Sequence, residues 1–174
     1  EGAVIMAANH VSFMDPVAVG LAITHRPVHF MARDTLFRNP LFGRLLRKIN
    51  AIPFKRGTPD REGIEKVLGT LAAGKVLVMF PEGTRSETGE LQAGRPGAGM
   101  LAYNSKAAVV PVYTDGTFKA MGKGSKMMKP VKITVRYGKK IDLEDCFKMP
   151  KSKTTYVKIS GRIMDAIAEL KRGV

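Results

Sequence analysis

Short apolar runs alternate along this chain with longer segments whose apolar residues return every three or four positions. Ala3 to Ala8, Val28 to Ala32, Ala51 to Phe54, Val76 to Phe80 and Ala107 to Tyr113 read as strands. The unbroken run Val76 to Phe80 suits a strand covered on both faces, whereas Val131 to Tyr137 alternates. Between them the spacing predicts helices from Pro16 to about His25, from Thr35 to Lys48 with a break near Asn39-Pro40, and from Asp60 to Ala73, stopped by Gly74. Two more run from Pro96 to Lys106 and from Thr154 to about Arg172, the last turning Val157, Ile163, Ile167 and Leu170 to the core. Strands alternating with helices imply an α/β fold with a largely parallel central sheet flanked by helices. No repeat or boundary divides residues 1–174, so one domain is expected.

Two segments leave a choice open. Leu36, Phe37, Leu41, Phe42, Leu45, Leu46 and Ile49 form one apolar side of the second helix, with Arg33, Arg38, Arg44, Arg47 and Lys48 around it. Such a helix either packs on the core or lies in the interfacial layer of an anionic membrane, and periodicity alone favours the core. Phe118 to Pro130, rich in Gly, Lys and Met, reads as a surface connection without fixed structure rather than a membrane-facing loop.

Charge narrows the partners. The 174 residues hold 29 Lys and Arg against 15 Asp and Glu, a net charge of +14, which draws anionic lipid, nucleic acid or phosphorylated small molecules. With 7% aromatic residues and no Trp, a platform for stacking bases is thinly supplied, so nucleic acid is not expected. Cys146 is alone, which excludes an intrachain disulfide. His10, His25 and His29 lack the spacing or the accompanying cysteines of a zinc site, and no metal is expected. The longest apolar runs fall well short of the roughly 20 residues of a membrane-spanning helix.

Candidate chemistry gathers where strands end. Asn9-His10-Val11-Ser12-Phe13-Met14-Asp15 follows the first strand, Lys55-Arg56 the third, and Pro81-Glu82-Gly83-Thr84-Arg85-Ser86 the fourth. In open α/β sheets ligands bind beyond such ends. His10 takes a proton near neutral pH, and Asp15 can orient its ring if the turn folds back. The plainer alternative makes Asp15 the N-cap of the first helix and His10 an ordinary turn residue. Arg85 is a fork-shaped donor for phosphate, Lys55 and Arg56 are further cations, and Gly83 permits close backbone approach. Glu82 either accepts from a substrate hydroxyl or holds Arg85. Ser12, Thr84, Ser86 and Cys146 are conceivable nucleophiles, but no nucleophile elbow surrounds them, and direct transfer is preferred.

These residues resemble the glycerolipid acyltransferase family, especially its 1-acyl-sn-glycerol-3-phosphate acyltransferases of phospholipid biosynthesis. Asn9 to Asp15 resembles the family's first motif, a His and an Asp with four residues between (HX4D). Ile52 to Gly57 is similar to the second motif, Phe80 to Ser86 to the third and Val110-Pro111-Val112 to the fourth. The resemblance implies a glycerolphosphate acyltransferase-like α/β domain. It makes His10 the base and Asp15 its partner, Lys55, Arg56 and Arg85 the phosphate-binding cations, and Glu82, Gly83 and Thr84 part of the acceptor site. Backbone N–H groups near Gly83 would hold the oxyanion. The implied acceptor is lysophosphatidate, the donor acyl-CoA or acyl carrier protein, with no further cofactor. The implied location is the cytoplasmic face of a membrane with an anionic surface as partner. Many members carry a membrane-docking segment before the first motif, and it is expected to be missing from this chain. The rivals are another acceptor, such as glycerol 3-phosphate or another lysophospholipid, and a non-catalytic basic module for anionic lipid or nucleic acid.

Overall fold

The computed structural model describes residues 2–21, 23, 25–55, 60–125 and 127–173. Six strands, β1 (Val4–Ala8), β2 (Val28–Arg33), β3 (Ala51–Phe54), β4 (Val76–Met79), β5 (Ala108–Asp115) and β6 (Thr134–Tyr137), form one sheet in the order β3-β2-β4-β1-β5-β6. The first five are parallel, and β6 joins β5 antiparallel at the edge. The largely parallel sheet expected from the pattern is therefore present, and β1, with its chemistry-bearing turn, lies in its interior.

Both faces of the sheet are apolar, but they are covered unequally. On one face Ile5, Ala7, Leu77, Met79 and Val109 meet α3 (Arg61–Ala72), α4 (Pro96–Ser105) and α7 (Lys153–Arg172) in a large core. Gly99 brings α4 against α7 so closely that a Cβ there would overlap the Tyr156 carbonyl, and Ser160 Oγ accepts from the Gly99 N–H. Ile159, Ile163 and Ile167 are fully buried, while Val157 is 48% exposed, contrary to its assignment to the core. At 100° per residue Val157 falls off the stripe that steps through 159, 163 and 167.

On the other face Ala8, Val28, Val76, Val78 and Val112 are covered chiefly by Val19 of α1 (Asp15–Leu21). The chain steps from β1 to β2 and from β2 to β3 in one direction along the sheet, so right-handed crossovers carry α1 and α2 (Pro40–Lys48) to this same face. The expected break at Asn39-Pro40 is there. A 3-10 turn (Asp34–Arg38) precedes α2, and Asn39 caps it by accepting from the Phe42 N–H.

The apolar side of α2 does not enter the core, which corrects the reading from periodicity. Only Gly43 and Leu46 are buried; Leu41, Phe42, Leu45 and Ile49 are exposed. Gly43 is the reason the 3-10 turn can lie close: a Cβ at that position would stand 2.7 Å from the Phe37 carbonyl oxygen. Along α1 and the turn before it, Phe13, Val17 and Leu21 form a second exposed apolar stripe at four-residue spacing.

Phe118 to Gly122, the first part of the Gly-, Lys- and Met-rich connection, is more ordered than expected. It opens with α5 (Thr117–Met121), and Gly122 bridges to Ser12. Before α7 a short α6 (Glu144–Phe147) buries Cys146. Among the described residues no helix is long and apolar enough to cross a membrane.

Candidate active site

The turn after β1 is fixed from three sides. Asn9 prolongs the β1–β5 pairing with its side chain: Nδ2 donates to the Thr114 carbonyl at 3.1 Å, and Oδ1 accepts from the Thr114 N–H at 2.7 Å. His10 is then held to the segment leaving β4, its N–H donating to Glu82 Oε1 at 3.2 Å and its carbonyl accepting from the Ser86 N–H at 2.7 Å. Its ring stacks on Phe80 with centroids 4.0 Å apart. Asp15 closes the turn. A single oxygen, Oδ2, lies 2.9 Å from His10 Nδ1 and accepts the N–H groups of Val11 and Ser12, each at 2.7 Å.

Asp15 is thus the first residue of α1 rather than its N-cap, and it is fully buried. An ionised carboxylate is acceptor-only, so its bond to Nδ1 puts a proton there and makes Nε2 the basic nitrogen. The far oxygen, Oδ1, is 3.4 Å from Thr114 Oγ1, which also lies 3.1 Å from Asn9 Oδ1. Thr114 therefore links the two ends of the motif, a role hidden by a sequence separation of 105 residues from Asn9.

Glu82 turns inward, with both carboxylate oxygens engaged within the protein. It is 1% exposed, and while one oxygen accepts from His10, the other accepts from Gln92 Nε2 at 3.1 Å. Burial pushes its carboxyl up to about 7. Nor does it hold Arg85, whose guanidinium carbon lies 3.8 Å from the centre of the Phe13 ring. Gly83 has φ +70°, and the stem of Arg95 packs where a side chain would begin. The Gly83 N–H closes a turn onto the Phe80 carbonyl at 3.0 Å.

Phe80 also lines a cavity of about 240 Å³ between the strand ends and α3 and α4. Met31, Phe54, Ile64, Met79, Met100 and Leu101 make its wall apolar, while Arg33, Lys55, Gly83 and Arg95 add polar lining. The structure therefore brings Lys55 and Gly83 to one cavity and joins it, through Phe80, to His10. Thr84 and Arg85 follow Gly83, both partly buried. Arg56 lies outside the described residues.

Three of the four conceivable nucleophiles are otherwise engaged. Ser12 Oγ donates to the Met121 carbonyl and accepts from the Met14 N–H, Ser86 Oγ accepts from the Gly89 N–H, and Cys146 belongs to the core under α7. Sequence reasoning missed Thr114, Gln92, Arg33 and Arg95. Their only signal is position: Thr114 continues a strand beside β1, and Arg95 directly precedes the proline that opens α4.

Known proteins resemble this chain in sequence and fold. The Acyltransferase family model matches residues 1–115, well over half of the chain. The 1-acyl-sn-glycerol-3-phosphate acyltransferase of Bacillus subtilis is 28% identical over 167 residues, which span 96% of this chain and 80% of that protein. That of Cocos nucifera is 31% identical over 81% of this chain. The chain spans only about half of the Cocos nucifera and Streptococcus pneumoniae relatives, 46% and 52% of their lengths. The crystal structure of the 1-acyl-sn-glycerophosphate acyltransferase PlsC from Thermotoga maritima superimposes with a TM-score of 0.76 at 25% identity, covering 98% of this chain and 67% of that one. The chain belongs to the Acyltransferase family.

Proposed function

We propose that this chain moves a fatty acyl group from a thioester, acyl-CoA or acyl carrier protein, to the free hydroxyl of lysophosphatidate, giving phosphatidate. The observation that carries the reading is His10, held on Asp15 at 2.9 Å and stacked on a ring that lines an apolar cavity. His10 Nε2 removes the hydroxyl proton, and the oxygen attacks the thioester carbonyl. The tetrahedral adduct collapses, the C–S bond breaks, and the imidazolium returns its proton to the departing thiolate. Asp15 stabilises that imidazolium. Each step is proton transfer or acyl exchange, which needs neither metal nor cofactor.

Lys55, Arg56 and Arg85 hold the acceptor phosphate and so aim its hydroxyl, a positioning effect worth several kcal/mol. Gly83 and Thr84 shape the acceptor site, and the N–H groups of Thr84 and Arg85 are the nearest candidates for the oxyanion. The apolar cavity takes the acyl chain. Because acceptor and product are lipids and the chain carries +14, the reaction belongs at an anionic membrane surface, on the cytoplasmic face where the donors reside.

The test is transfer of a radiolabelled acyl group to lysophosphatidate by the parent chain and by His10→Ala. The parent is expected to form phosphatidate and the variant to lose transfer while keeping its fold; a folded variant with near-parental turnover overturns the assignment.

A further inference from the structure

Among the described residues twelve large apolar side chains are exposed, and seven of them belong to the α1 and α2 side of the sheet. On α2 their arrangement is directional. At 100° per residue Leu41, Phe42, Leu45 and Ile49 span an arc of about 100°, with buried Gly43 and Leu46 beyond one edge and Lys48 and Arg44 beyond the other. Arg47 and, from the preceding turn, Arg38 add to the same cationic flank, and α2 contains no acidic residue.

A helix turned outward in this way has an apolar arc that no described residue covers and a neighbouring row of cations that no described acid neutralises. A folded protein partner would require acids opposite that row. A bilayer bearing anionic headgroups meets both needs at once, hydrocarbon for the arc and phosphates for the cations.

We infer that α2 is an interfacial docking helix that seats the chain on an anionic phospholipid surface. This deepens the proposed reaction, on which it rests only in taking the acceptor to be a lipid. The helix is well placed to serve the site. Arg33, which lines the cavity, runs directly into the 3-10 turn and α2, so a docked helix sets the cavity beside the headgroups. The exposed stripe of α1 continues the same side, and its first residue, Phe13, carries Arg85. Docking by α2 therefore brings the phosphate-binding arginine to the surface from which a lysophospholipid would be drawn.

Co-sedimentation with vesicles tests this. The probes are phosphatidylcholine alone and phosphatidylcholine with phosphatidylglycerol in equal parts. The variants are Leu41→Ser with Leu45→Ser, and Arg44→Glu with Arg47→Glu, all exposed positions outside the catalytic site. The parent is expected to bind the anionic vesicles in a salt-sensitive way, and each pair of substitutions to weaken binding roughly tenfold or more. Transfer to a short-chain lysophosphatidate kept below its micelle concentration is expected to persist in both variants. Variants that bind like the parent, or a parent indifferent to anionic vesicles, overturn the inference. So does a serine variant that turns a parental dimer into a monomer with vesicle binding unchanged, which gives the face to a second copy. Vesicle binding through α2 with no transfer to any acceptor would sink the proposed reaction and leave the docking helix standing.

Discussion

The two faces of the sheet are built for different ends. Under α3, α4 and α7 lie the fully buried isoleucines and the backbone-to-backbone approach at Gly99, so that face holds most of the cohesion. The α1 and α2 side buries little more than five valines and Ala8 and leaves apolar side chains in the open. The candidate site residues stand at the strand ends between these layers. Stability and contact with the outside can thus be altered separately, and substitutions should sort by layer.

The largest effect is expected at the edge the two layers share. In Asp15→Asn the amide oxygen can still accept from Val11, Ser12 and His10, so the turn should persist while the negative charge beside the imidazolium is lost. Turnover should fall roughly a thousandfold with circular dichroism unchanged. A folded variant with parental turnover would break the pairing of base and acid.

Ile163→Ala, deep under α7, should act in the opposite sense. It should cost about 3 kcal/mol and lower Tm by roughly 10 °C, with turnover per folded molecule unchanged at a permissive temperature. If turnover fell instead, the cohesive layer would also be tuning the site.

Glu82 comes next. Its folded carboxyl titrates at about 7 against an ordinary 4.5, so between those values the folded state binds more protons than the unfolded one, and stability falls as pH rises. That loss amounts to roughly 3 kcal/mol above pH 7 and should vanish in Glu82→Gln. Urea melts at several pH values would show it, and an equal slope in parent and variant would place the titration elsewhere. The smallest change is Phe13→Ala, which removes the ring under Arg85 and should raise the acceptor KM roughly fivefold with little change in kcat.

The strands and most helices were legible because each buries a continuous apolar run or stripe. The site was legible as three strand-end clusters, since a parallel sheet delivers them to one edge. What periodicity does not encode is the partner. The apolar arc of α2 has the same spacing whether it meets a core or a bilayer, and Asp15 before Pro16 looks like a cap whether or not its carboxylate turns back. The inward turn of Glu82 rests on Gln92 and on a backbone N–H 72 residues away, and the latch at Thr114 on a pairing 105 residues long. Such contacts exist only once the sheet order is known.

One oxygen of Asp15 ties the imidazole and two backbone N–H groups of the same turn. Swinging the imidazole away would therefore break the loop that carries it. The turn is ordered by its own bonds during folding, so the His10 ring is held in place before any ligand arrives.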